Sequence, residues 1–204
     1  EGLTKAMSVG PELRVPDEEQ YHTTNLITAL PRTITIAVTG LDAIWTAATD
    51  SAVARYNALN LRLKLQRVAS GAAITVTGAD LGGGGVLGQS SGFPDINGNP
   101  PNKITINSRP GTFGTNPSVQ WLATIIAHEV GHTIGFRHTD YANRNYSCGF
   151  SFPRNEGDGG VGAIWIPKTP KGPKDPGSWM LACTDGTNRP FNPNDITALR
   201  YLYK

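Results

Sequence analysis

The stretch His128-Glu129-Val130-Gly131-His132-Thr133-Ile134-Gly135-Phe136-Arg137-His138-Thr139-Asp140 holds three of the chain's four histidines. Val119, Leu122, Ile125, Ile126, Val130 and Ile134 recur through it at helical spacing, so the stretch reads as the end of an amphipathic helix. Asn116-Pro117 supplies a start, with Asn as N-cap and Pro at the first helical position, and Gly135 stands where a left-handed C-terminal cap belongs. On a helix His128 and His132 project from one face, one turn apart. Both imidazoles can then reach a single ion at about 2.0–2.1 Å. Gly135 permits a positive-φ turn that brings His138 back as a third ligand. Glu129 is rotated about 100° from His128, which places it beside the ion, where it can take a proton from a metal-bound water. Three protein ligands leave the fourth position for water, the pattern of a catalytic zinc rather than a closed structural one. A bare HExxH arises by chance in helices; the glycine and third histidine at their offsets set this one apart.

Working outward, Thr33–Val38 alternates and is β-branched, a strand. Leu41–Leu59 carries Ile44, Trp45, Ala48, Val53 and Tyr56 among good helix formers and predicts a helix. Leu61–Val68, Ala73–Thr77 and Lys103–Asn107 read as further strands, the first and last half-buried by their alternation. Gly82–Gly85 leads into Val86–Ser91, which lacks the bulk for a central position and suits a sheet edge. Residues 139–190 are dominated by Gly, Pro, Asn and Lys, and Asn192-Pro193 opens a last helix bearing Ile196, Leu199 and Leu202. Residues 1–30, with Pro11, Pro16 and Asp17-Glu18-Glu19, read as an irregular arm. The order implies an α+β fold: a twisted sheet, expected to be mainly antiparallel, with two long helices.

His128-Glu129-x-x-His132-x-x-Gly135-x-x-His138 resembles the signature of the metzincin zinc endopeptidases, and its spelling is similar to the bacterial HEIGH-type metallopeptidases, relatives of the astacins. The resemblance implies a metzincin-like mixed sheet in an upper lobe, about residues 1–138. It implies an irregular lower lobe, about 139–204, with a methionine turn and a C-terminal helix, the whole chain being one catalytic domain. Met180 in Gly177-Ser178-Trp179-Met180 fits the turn, since Met7 is the only other methionine. The implied chemistry is a secreted endopeptidase that takes protein or peptide substrates along the edge strand near Val86–Ser91. His128, His132 and His138 would hold one zinc, Glu129 would be the general base, and the enzyme would be a monomer kept latent as a zymogen by an inhibitory pro-segment. Two departures stand out. Thr139 occupies the place where astacins carry a glutamate that anchors the mature N-terminus, with Asp140 as a substitute. Ala182 occupies the place of their movable tyrosine ligand, leaving Tyr141 or Tyr146 as packing residues or replacements.

Other features bound the reading. Charged residues are 17% of 204, against roughly 25% for an average soluble domain, and 24 Gly with 15 Pro describe a loop-rich chain. A net charge of +2 without basic runs argues against nucleic acid. No uncharged stretch is long and apolar enough for a membrane span. The chain opens at Glu1 without an apolar leader and reads as a processed product. Cys148 and Cys183 are too few for a cysteine zinc site; they form a disulfide or, alternatively, one supplies a thiolate that caps the zinc. Asp95-Ile96-Asn97-Gly98-Asn99 offers oxygen ligands for calcium, with an Asn/Gly turn as the simpler reading. His22 is assigned to the surface, and Lys168, Lys171 and Lys174 to a solvated loop. Two rival classes remain: an inactive zinc-bound scaffold, opposed by Glu129, and a zincin with a downstream Glu ligand, opposed by His138.

Overall fold

The computed structural model describes residues 20–149, 155–170 and 175–204. In chain order its elements are β1 (Tyr21–His22), β2 (Arg32–Val38), α1 (Ala43–Ala58), β3 (Leu63–Arg67), β4 (Ile74–Ala79), β5 (Gly88–Ser90), β6 (Lys103–Asn107), α2 (Val119–Thr133), α3 (Asn145–Cys148), β7 (Ile164–Trp165) and α4 (Pro193–Tyr203). The acidic run Asp17-Glu18-Glu19, with Met7, Pro11 and Pro16, and the lysines Lys171 and Lys174 lie outside the described residues.

Five strands form one sheet in the order β3-β2-β4-β6-β5. The expectation of a mainly antiparallel sheet is corrected: β2 pairs in parallel with β3 and β4, β4 pairs in parallel with β6, and only the edge pair β5–β6 is antiparallel. The strands alternate because one face is covered and the other half-exposed. Ile34, Ile36, Leu63, Leu65, Ile74, Val76, Ile104 and Ile106 are buried on the covered face, while Thr33, Lys64, Gln66 and Lys103 lie on the other. Such alternation usually accompanies antiparallel sheets. Here it reports one-sided burial and carries no information on strand direction.

Direction comes from the connections. The link from β2 through α1 to β3 is a strand–helix–strand crossover, which returns the chain to run parallel. β3 and β4 lie on opposite sides of β2, yet only residues 68–73 join them. Their ladders are staggered, so Ile36 faces both Arg67 at the end of β3 and Ile74 at the start of β4. The chain therefore steps across β2 at Ile36 with no return run. Val68 N–H donates to Ile36 O (3.0 Å) and Ala73 N–H to Thr35 Oγ1 (2.8 Å) to fix the step.

Helices α1 and α2 pack against each other, and the Tyr56 hydroxyl on α1 donates to Ala127 O of α2 at 2.7 Å. The start of α2 is also corrected. Its N-cap is Ser118, whose Oγ accepts from Trp121 N–H at 3.2 Å, so the helix begins at Val119 and Asn116-Pro117 precede it. Helix α4 begins where expected: Asn192 caps it, with Asp195 completing a reciprocal capping box. β1 and β7 form a separate antiparallel pair, Tyr21 opposite Trp165 and His22 opposite Ile164. His22 is thus half-buried rather than a surface residue, and its Nδ1–H donates to Thr23 O at 2.7 Å. Among the described residues no helix is long and apolar enough to cross a membrane.

Candidate metal centre and cleft

Helix α2 delivers His128 and His132 from successive turns and ends in a Schellman motif. Phe136 N–H reaches Gly131 O at 2.9 Å, Gly135 N–H reaches His132 O at 3.0 Å, and Gly135 has φ +101°. A side chain at Gly135 would also collide with Leu26, whose Cδ2 lies 2.7 Å from the added Cβ position. The reversed chain is then clamped on two sides: Arg137 N–H donates to Tyr21 O and Thr139 N–H to Met180 O, both at 2.9 Å. Between these two bonds sits His138. Candidate ligand atoms of His128, His132 and His138 all lie within 4.8 Å of one another, the only such cluster of His, Cys, Asp or Glu among the described residues.

The donor chemistry fits zinc. His128 Nδ1 meets Trp179 O at 2.9 Å and His132 Nδ1 meets Phe136 O at 2.8 Å. A carbonyl oxygen can only accept, so both Nδ1 atoms carry the proton and both Nε2 atoms offer a lone pair. His138 Nδ1 meets Glu156 Oε1 instead. Burial pushes His128 and His138 down to about 3 and His132 well below its ordinary value, so all three rings are neutral near pH 7, as ligation requires.

Glu129 is buried beside this cluster, and burial pushes its carboxyl up to about 7 against the opposing effect of Ser90 N–H. That N–H comes from the edge strand and donates to Glu129 Oε2 at 2.8 Å. In β5 the odd residues face β6, through Asn107 N–H to Leu87 O and Ser91 N–H to Lys103 O. Gly88 and Ser90 therefore turn their backbone groups to the open edge. Gly88 leaves room for the carboxylate, since a Cβ there would stand 3.0 Å from Glu129 Oε1. Edge strand, Glu129 and the three histidines together line a cleft of about 690 Å³, whose far wall includes Arg144, Leu181 and Arg189.

Cys148 and Cys183 form a disulfide in the cleft wall, which removes the thiolate alternative. Met180 is fully buried beneath α2, its Sδ 2.4 Å from where a Cβ on Gly131 would stand. Asp140 accepts from Ser147 Oγ (2.6 Å) and Ala182 N–H (2.9 Å), and Thr139 Oγ1 bonds Ser178 Oγ (2.6 Å), so both stitch the wall together. Tyr141 packs on the Tyr21 ring and under the Arg137 guanidinium, 4.8 Å away. Asp95 closes a turn by accepting from Asn97 N–H and Asn99 N–H (2.9 and 2.8 Å).

Sequence reasoning missed the groups that hold these side chains. Trp179 O and Phe136 O are backbone atoms, invisible in a motif. Buried Asp195 gathers Trp179 N–H, Asn192 N–H, Ser178 Oγ and Gln20 Nε2, anchoring the turn before Met180 to α4. Glu156 left one faint signal, as the only glutamate after Glu129.

Three neutral imidazoles around one point, with a carboxylate on the same helix, define a zinc metallopeptidase. A family model described as a dual-action HEIGH metallopeptidase matches residues 9–203, and the chain belongs to that family. Two solved structures of myroilysin share the fold. One is 15% identical with a TM-score of 0.54, covering 90% of this chain and 98% of the other. The second is 16% identical with a TM-score of 0.52, covering 88% and 86%. Comparison with curated protein sequences gives no match.

Proposed function

We propose that the chain is a secreted endopeptidase in which His128, His132 and His138 hold one zinc and Glu129 is the general base. The carrying observation is that Glu129 stands between the histidine cluster and the open edge of β5, held there by Ser90 N–H. Substrate would lie extended along Gly88–Ser90, its main chain bonding to the outward-facing groups of the edge strand. Zinc, when bound, lowers the pKa of its water and polarises the scissile carbonyl. Glu129 Oε1 takes the proton of the attacking water while Oε2 stays on Ser90 N–H. The same carboxyl then hands that proton to the leaving amide nitrogen. Burial lifts the carboxyl, which favours its taking up that proton before passing it on.

Residues 1–204 would form one catalytic domain, with α2 and the sheet above the cleft and residues 139–204 below it. Trp179-Met180 would be the methionine turn, a support that fixes His128 through Trp179 O and fills the space under Gly131. The deciding experiment combines metal analysis with peptide cleavage on wild type and Glu129→Gln. One zinc per chain and chelator-sensitive cleavage are expected. The variant should keep its zinc and lose at least about a hundredfold in rate. Cleavage undiminished in Glu129→Gln would sink the mechanism, and a wild type without stoichiometric zinc would sink the site.

A further inference from the structure

The three histidines are not held alike. His128 and His132 give their Nδ1–H to neutral backbone carbonyls, whereas His138, which lies beyond the helix, meets a carboxylate. Glu156 is a hub. Its Oε1 serves His138 Nδ1 and lies 3.3 Å from Arg144 Nε, and its Oε2 lies 3.3 Å from Arg137 Nη2. The side chain is 13% exposed. Its backbone N–H is tied to Tyr141 O at 3.1 Å. Arg137 does not depend on Glu156 for its place, because Asp158 O, Gly157 O and Gly162 O accept from its guanidinium at 3.1, 3.0 and 2.8 Å. It forms a fixed buttress that aims the carboxylate at His138.

We propose that Glu156 is the positioning residue of the third zinc ligand. It holds His138 in the tautomer with a free Nε2 and raises that ring's donor strength, while Arg144 draws on the same oxygen from the cleft side. The proposal rests on the zinc-endopeptidase reading above. A carboxylate behind an imidazole strengthens it as a ligand, and loss of such a partner weakens metal binding by about 10- to 100-fold. The two helical histidines need no such help, since α2 presets their spacing. His138 sits on a turn, where ring orientation has to come from a side chain.

The test is zinc affinity, measured by competition with a chromophoric chelator on folded, metal-stripped protein, with the visible spectrum of the cobalt-substituted form alongside. Glu156→Gln keeps an oxygen for the Nδ1–H and removes the charge. It is expected to weaken zinc binding by about 10- to 100-fold and to shift the cobalt bands. A purely structural Glu156 would lower the stability of the metal-free form but leave affinity within about threefold of wild type and the spectrum unchanged, which would overturn the assignment. Should Glu156→Gln not fold, Arg144→Gln decides. Freeing Oε1 for His138 alone should tighten zinc about two- to fivefold, the scale of a partly exposed charge interaction, and unchanged or weaker binding would overturn the proposal. A wild type that binds zinc and cleaves peptide, beside a Glu156→Gln of equal affinity, would refute the role of Glu156 alone.

Discussion

Replacing Gly131 by alanine measures how closely helix α2 is fitted to the turn beneath it. Gly131 is buried in the last turn of α2, where alanine should still be the better helix former by about 1 kcal/mol. Against that gain, the added Cβ would stand 2.4 Å from Met180 Sδ, 3.2 Å from Trp179 Nε1 and 3.3 Å from Met180 Cε. Methionine is pliable, but this one is fully buried and its backbone is held on both sides, by Thr139 N–H on its oxygen and by Ser178 Oγ on its nitrogen. Trp179 Nε1 cannot retreat without leaving Ala127 O, 3.1 Å away. Overpacking of this kind costs about 1–3 kcal/mol, so the net expectation is a loss of up to about 2 kcal/mol. At this chain length that lowers Tm by up to about 8 °C. Thermal and urea unfolding of the metal-stripped protein read it directly. Met180→Ala alone should cost about 2–5 kcal/mol, and the double variant should cost less than the sum by about 1–2 kcal/mol, because each change relieves the other. A Tm raised by Gly131→Ala, or strictly additive losses, would refute the close fit.

Two further outcomes follow from the same structure. Converting Cys148 and Cys183 to serine opens a 35-residue separation and should cost about 4 kcal/mol in urea unfolding on the chain-entropy model; a loss under about 1 kcal/mol would mean that Asp140, bonded to Ser147 and Ala182, already closes the wall. In the metal-stripped protein, burial holds His128 and His138 at about 3 whereas the unfolded chain takes up protons near 6.5, so at these two sites the native state binds fewer protons across that window. Glu129 and Asp195, pushed up to about 7 by burial, act in the opposite sense until both states are protonated below about pH 4. Stability should therefore fall most clearly between about pH 4 and 3, by up to about 1.4 kcal/mol per pH unit for each histidine; stability that stays level across that interval would contradict the burial of these rings.

Much of this protein was legible because its rules are local. The spacing of His128, His132 and His138, the capping role of Gly135, the strand Lys103–Asn107 and the start of α4 at Asn192 each depend on a few neighbouring residues. Each was read from side-chain type and period alone. At the start of α2 local reading points to Asn116-Pro117, whereas in the structure the Ser118 hydroxyl caps the helix by accepting from Trp121 N–H.

What tertiary structure decided were matters the chain expresses only after distant segments meet. Strand direction is one, because alternation records which face is covered, while the crossover through α1 and the stagger at Ile36 determine which way the strands run. The supports of the site are another. Trp179 O, 51 residues beyond His128, Ser90 N–H, 39 before Glu129, and Glu156, 18 beyond His138, carry no motif of their own. The sequence alone picked out the residues that could hold a metal, His128 and His132 from the pitch of the helix and His138 from the turn that Gly135 permits. It could not specify what orients those residues, because a hydrogen-bond partner is chosen by proximity in space, and proximity between segments this far apart exists only in the folded chain.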